Sequence, residues 1–307
     1  MSIKRYISDV EIPLNGVVRI KEMGNITELL YASKRSKGGY ITKISKDEFV
    51  DNRTGEIRTF CHAETRNDDI ESVQKSIVKL RDVLNTNVTI PQNCRWLTLT
   101  YADNMQDTNR LRKDFATFNR RCRKKYGRYE YIAVIEPQGR GAWHIHVVLI
   151  YPHHAPYMDN ADVRELWRQG FVSVKKLENI DNVGAYLTAY LTDISIEDYQ
   201  VLHPDTKHIG EIKIIDIIDK DGKTVPKRYI KGGRLSLYPA GCHLFRCSAG
   251  IAKPITHYDT YANAKSSLGT AALTYKRTKR LEAPDSDFSC ILSWEIYNSK
   301  WKGKKYD

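Results

Sequence analysis

The chain has 307 residues and a mass of 35.4 kDa, enough for one large domain or two to three modest ones. Its 41% hydrophobic and 28% charged residues are near globular averages, which excludes disorder of the whole chain. No run approaches the roughly 18 apolar residues of a membrane span, and MSIKRYISDVEIP at the N-terminus has no apolar stretch behind its basic residues, so the cytoplasm is the expected compartment. Lys and Arg outnumber Asp and Glu by 49 to 37, a net charge of +12, which points to a polyanionic partner and first of all to nucleic acid.

Short strands are expected over residues 1–68, ending in the turn-rich DNRTGE. From Asp69, Ile70, Val73, Ile77, Leu80 and Val83 recur at three- and four-residue spacing and predict an amphipathic helix. CRWLTLTY at 94–101 alternates and is rich in β-formers. Asp107 then caps a helix whose apolar stripe is Leu111, Phe115, Phe118 and Cys122 and whose remaining surface is strongly basic. YEYIAVIE at 129–136 and AWHIHVVLIY at 142–151 flank PQGRG as an antiparallel hairpin. A short helix capped by Asn160, a strand at 171–177 and a helix from Asp181 to about Thr192 complete a β-α-β-β-α-β-α order. EIKIIDII and TVPKRYI around DKDG predict one more hairpin.

The fold class is therefore α+β, a central antiparallel sheet with flanking helices. Three segments are expected: an N-terminal extension over 1–88, a core over 89–200 and a basic C-terminal region over 201–307. TYKRTKR and KWKGKKYD in the last of these read as solvated tail ahead of a backbone contact. Cys61, Cys94, Cys122, Cys242, Cys247 and Cys290 have no paired spacing and read as reduced, core-filling or incidental thiols.

Chemistry concentrates on the 129–151 hairpin. His144 and His146 are two apart on a strand and so share a face. With the turn centred near residue 140, Glu136 stands across from His144, its Cβ about 5 Å away, and the three can converge on one cation. Gln138 is the alternative third ligand, because a one-residue change of register would turn Glu136 to the other face. A mixed imidazole and carboxylate set suits Mn²⁺ and tolerates Mg²⁺. Without the carboxylate, two histidines exposed on a sheet would be the simpler reading.

Downstream, Tyr186 and Tyr190 share a helix face. On a helical wheel Tyr190 falls roughly 40° from the middle of the stripe Val183, Leu187, Leu191 and Ile194, and Tyr186 roughly 80°, so Tyr186 presents the better hydroxyl. A phenol, with a reference pKa of about 10, needs a nearby cation to act as a nucleophile. Arg120, Arg121, Arg123, Lys124 and Lys125 on the basic helix are candidates for contacts with backbone phosphates. Trp143, Tyr151 and Trp167 are candidates for base stacking, against the alternative that they fill the core.

WLTLTY at 96–101, WHIHVVL at 143–149 and AYLTAYLTD at 185–193 together resemble the first, His-hydrophobic-His and tyrosine motifs of the HUH superfamily of single-strand endonucleases, in particular the rolling-circle replication initiators. The resemblance covers 94–195 and extends suggestively to KGGRLSLYP at 231–239. Histidines before tyrosine is the order of initiators and transposase-like relatives, whereas relaxases place the tyrosine first. One departure is that Ala189 and Asp193 stand where single-tyrosine members often carry a Lys, and the two tyrosines are similar to those of two-tyrosine members.

The resemblance implies an RRM-like HUH topology and metal-dependent nicking and joining at an origin, with Tyr186 or Tyr190 as nucleophile. The expected partner is single-stranded origin DNA of a plasmid or phage-like replicon. No phosphate-binding GxxxxGK followed by Ser or Thr occurs, so a host helicase and DNA polymerase are expected partners as well. The alternatives are a transposase or mobilisation nickase on the same core, and a non-catalytic nucleic-acid-binding module with incidental histidines.

Overall fold

The computed structural model describes residues 4–34, 39–60, 70–138, 142–177, 182–202, 211–218, 224–230, 233–234, 238, 243–282 and 288–301. Among them the architecture is mixed α and β, with six helices and four antiparallel sheets, and no helix is long and apolar enough to cross a membrane. The chain divides into two units, residues 1–64 with 254–307, and residues 65–253. The first unit opens with the strands expected there: β1 (Lys4–Ile7), β2 (Val17–Met23), β3 (Ile26–Ala32), and a small sheet of β4 (Ile41–Lys43), β5 (Glu48–Asp51) and β6 (Ile57–Thr59).

The second unit runs α1 (Ile70–Asn87), β7 (Cys94–Thr100), α2 (Thr108–Tyr126), β8 (Glu130–Pro137), β9 (Trp143–Ile150), α3 (Asn160–Trp167), β10 (Val172–Lys176) and α4 (Val183–Thr192). It continues through β11 (Ile194–Ser195), α5 (Ile196–Leu202) and the expected hairpin of β12 (Ile212–Ile218) and β13 (Thr224–Ile230) to β14 (Phe245–Cys247). Its main sheet has the order β10-β7-β9-β8-β14.

Alternation along these strands divides the apolar residues between two cores. Leu97, Leu99, Ile145, Val147 and Leu149 meet Leu111, Phe115, Phe118 and Cys122 of α2 and Val163 and Trp167 of α3. On the opposite face Trp96, Ile132, Val134 and Val148 meet Leu80 and Leu84 of α1 and Val183 and Leu187 of α4.

Local signals place most element ends. Asp107 caps α2, its carboxylate accepting from the Asn109 backbone N–H at 2.8 Å. The cap of α3 is Asp159 instead of Asn160, whose Oδ1 accepts from the Val174 N–H at 2.8 Å and ties the helix to β10. At the start of α4 the side chain of Asn182 accepts from the Ala185 N–H at 2.9 Å, and the expected cap, Asp181, is outside the described residues. Ile194 belongs to β11, so it is not part of the helical stripe assigned to it. Cys94, Cys122, Cys247 and Cys290 are free thiols, and burial pushes the Cys94 thiol up to about 12.

Helices α1 and α4 cross where Gly184 has no side chain. A Cβ there would meet the Arg81 carbonyl oxygen at 2.5 Å and the Asn85 side chain at 2.6 Å, and the Gly184 N–H donates to Asn85 Oδ1 at 2.8 Å. Gly184→Ala must force the helices apart and should destabilise the unit by about 1–3 kcal/mol, read as a shift in denaturant midpoint.

The chain returns to the first unit with β15 (Ile255–Thr260), α6 (Tyr261–Ser267), β16 (Ala272–Glu282) and β17 (Ser289–Asn298), completing a six-stranded sheet of order β1-β16-β17-β3-β2-β15. Val18, Ile20, Leu29, Ala264 and Tyr297 form its core. Two sequence readings change here. The basic TYKRTKR segment lies within strand β16, not in a tail, and Lys276 faces the buried Glu295 at 3.6 Å. The division at 88 and 200 also differs from the structure, because α1 packs on the second unit's sheet and the first unit draws strands from both ends of the chain. Strand pairing across more than 200 residues leaves no mark in local periodicity.

Candidate metal centre

In the β8–β9 hairpin Glu136 stands opposite His144 and Val134 opposite His146, and β7 adds Thr100 and Thr98 to the same two rows. Opposed residues share a face, so Glu136, His144 and His146 lie on the side of the sheet covered by α1 and α4. One ligand atom from each lies within 4.8 Å of the others. Glu136 and His146 are buried and His144 is partly so.

Neighbours hold these groups in place. His146 Nε2 contacts Glu136 Oε2, and Thr98 Oγ1 lies 3.1 Å from His146 Nδ1, which leaves Nε2 turned toward the carboxylate and any cation beside it. The other carboxylate oxygen, Oε1, lies 2.5 Å from Nη1 of Arg234. Arg234 also donates through Nε to the Asp193 carbonyl at the end of α4, at 2.9 Å, so one guanidinium joins the carboxylate to the tyrosine helix. The guanidinium is 19% exposed and Glu136 is 4% exposed at the side chain. Arg234→Met strands a buried carboxylate with one partner fewer and should cost about 3 kcal/mol, whereas Arg234→Lys, keeping the charge, should cost less; chemical denaturation of both variants measures this.

Burial alone would push the Glu136 carboxyl up, but the His146 hydrogen bond and the charges of His146, Arg234 and His144 outweigh it and hold the carboxyl below its usual value. The folded value is thus below the unfolded one, about 4.3. The stability Glu136 contributes is fully present above the unfolded value and is lost as the pH falls through the folded one. Glu136→Gln should therefore flatten the acid limb of the stability curve between about pH 5 and pH 3, measured by urea midpoints, and leave its slope above about pH 6 unchanged.

Two imidazoles and one carboxylate form a donor set that fits a divalent cation of intermediate hardness, and three protein ligands leave positions for water or phosphate oxygens. Gln138 closes the hairpin through its backbone, its N–H donating to the Ala142 carbonyl at 2.8 Å, and the carboxylate in the cluster is Glu136.

Tyr186 is 49% exposed. Its ring meets Trp96 edge-on at 6.0 Å, and Trp96 in turn lies 6.0 Å from the His146 ring. Lys175 of β10 places Nζ 6.0 Å from the same Trp96 ring. Tyr190 is in α4, and its side chain is outside the described residues. Tyr101, Tyr129 and Tyr151 in the same unit are buried, and burial raises all three phenols well above their ordinary value.

The nucleic-acid candidates divide. Trp143 is buried at 4% exposure, packs in the α2-side core and donates through Nε1 to the Gln106 carbonyl at 3.0 Å; Tyr151 and Trp167 are buried in that core too. None of the three offers a face to a base, because the sheet needs large side chains to fill the space beneath α2 and α3. Arg123 donates to the Tyr129 carbonyl at 2.8 Å and lies over its ring, and Arg121 donates to the Leu166 carbonyl at 3.2 Å. Lys125 pairs with Asp162 at 2.8 Å, and Arg120 and Lys124 are exposed. All five are carried on the sheet face opposite Glu136, His144 and His146.

Sequence reasoning did not single out Thr98, Lys175 or Arg234 as site residues. Thr98 was detectable, since it alternates in phase with Trp96 toward the histidine face; Arg234 follows two consecutive glycines and has no local signal.

The site is thus a three-donor cation centre on an antiparallel sheet, with a half-exposed phenol on the adjoining helix. The family of replication-associated proteins of the ORF2 type matches residues 94–195, from the first residue of β7 to the last of β11 and about a third of the chain. No curated protein and no solved structure matches. The family match is consistent with a role in replication initiation and with binding to DNA.

Proposed function

We propose that this chain is an HUH-type endonuclease that nicks and rejoins single-stranded DNA to start rolling-circle replication of a plasmid or phage-like replicon. The observation that carries this reading is the convergence of Glu136, His144 and His146 on the face covered by the helix bearing Tyr186. The motif order of histidines before tyrosine supports it, as does the family match over the same residues.

A divalent cation held by the three side chains would polarise the scissile phosphodiester and stabilise charge on its oxygens. Tyr186, its hydroxyl at the solvent-facing edge of α4, supplies the nucleophile. Its phenolic proton passes to solvent, the Oη–P bond forms as the P–O3′ bond breaks, and the 3′ oxygen takes a proton from water. The products are a 5′-phosphotyrosine and a free 3′-hydroxyl that can prime synthesis. A later 3′-hydroxyl reverses the exchange and closes a circle. Thr98 orients His146, and Arg234 orients Glu136 and anchors the end of α4. Tyr190, one turn along, is the second nucleophile in alternating rounds, and host helicase and polymerase complete replication.

Incubation with Mn²⁺ and a single-stranded origin oligonucleotide, followed by a denaturing gel, tests the reading. A covalent protein–DNA adduct that depends on Tyr186 or Tyr190 is expected. Cleavage without adduct, or no cleavage on any origin strand, overturns it.

A further inference from the structure

On the face of the sheet away from the metal centre, α2 does not seal against β8 and β14, and a cavity of about 470 Å³ opens there. This is within the ~300–1,000 Å³ that encloses one small ligand. Three aromatic side chains line it, Phe115 of α2, Tyr131 of β8 and Phe245 of β14, with the Phe115 and Tyr131 rings 5.2 Å apart at 77°. Arg112, His243 and Arg246 stand around it, and no acidic side chain lines it. Arg112 and Arg246 are exposed, so both guanidinium groups are accessible to a ligand.

Aromatic walls with a cationic lining match the two halves of a nucleotide, a flat base and an anionic phosphate. A purely apolar ligand would have no use for the guanidinium groups. A duplex could not reach the aromatic walls, because its bases are paired and stacked; an unpaired strand can turn a base in. The exposed basic residues of α2 that point away from the metal centre extend the same positive surface.

We propose that this cavity takes one unpaired base of single-stranded DNA, with Arg112 and Arg246 on the flanking phosphates, as a strand-holding site on the opposite face of the sheet from the metal centre. The site involves neither the cation nor a tyrosine nucleophile, so it stands or falls separately from the nicking reaction.

The test uses the full chain and a 5′-fluorescein dT12 strand in EDTA, followed by anisotropy between 50 and 200 mM salt. Ala116→Trp puts a ring into the cavity from the exposed flank of α2 and should weaken binding roughly tenfold. Arg112→Gln with Arg246→Gln should reduce the slope of log K against log salt by about 1.4, two phosphate contacts at ~0.7 each. A strand carrying 5-iododeoxyuridine should photo-crosslink to Phe115, Tyr131 or Phe245. His144→Ala with His146→Ala should bind dT12 as the wild type does.

Wild-type affinity and slope in both cavity variants overturn the proposal, as do crosslinks confined to Trp96 and Tyr186. Should Ala116→Trp melt early, the double Gln variant decides, since both its side chains are at the surface. A fluorescent fatty acid that fills the cavity while dT12 binding stays unchanged also counts against it.

Discussion

With His144 and His146 both replaced by alanine, adduct formation on a single-stranded origin oligonucleotide in Mn²⁺ is expected to fall by at least about 10³-fold. Two of the three cation ligands are then gone, and the Lewis-acid contribution, several kcal/mol of transition-state stabilisation, goes with them. Affinity for the same strand in EDTA should stay within about threefold, because non-specific strand binding rests on phosphate contacts. Glu136 keeps Arg234 as its partner in this variant, so the hairpin should survive, and a thermal melt checks that it does. Calorimetric titration with Mn²⁺ should show the corresponding loss of metal affinity. Equal loss of strand binding and cleavage would assign the histidines to general architecture instead of a metal centre.

Tyr186→Phe is expected to remove first-strand adduct formation entirely, since it deletes the attacking oxygen and little else. At 49% exposure the hydroxyl contributes little to packing, and the ring edge on Trp96 is retained by phenylalanine. Tyr190→Phe should keep first-strand cleavage and lose the joining step that needs a second nucleophile. Full cleavage by Tyr186→Phe, with none by Tyr190→Phe, would reverse the order of the two.

The metal triad was legible in the sequence because a strand has a period of two and a hairpin a definite register. His144 and His146 share a face by alternation, and the five-residue PQGRG segment brings Glu136 opposite His144, as the pairing shows. The amphipathic stripe of α2 was equally local, and all four of its expected apolar residues are buried. The sheet face on which α2 packs was not legible. Periodicity tells which side of a helix is buried and not which side of the sheet it covers, and for that reason the basic residues of α2 are on the far side from the histidines. Arg234 shows the same limit. It reaches Glu136 across 98 positions of chain, and only tertiary folding brings the two together. Trp143, Tyr151 and Trp167 were legible as aromatic but not as interior.

The six-stranded sheet draws β3, ending at Ala32, and β17, beginning at Ser289, into one hydrogen-bonded pair. During synthesis at ~5–20 residues per second the ribosome makes the entire 65–253 segment before the partner of that early hairpin exists, a delay of roughly 10–50 s. The nascent β2–β3 ribbon must wait through that interval with both backbone edges exposed, a template for association with other chains. Premature termination anywhere between 253 and 289 would leave it so permanently, and such truncated products are expected in the insoluble fraction even where the 65–253 segment has already folded.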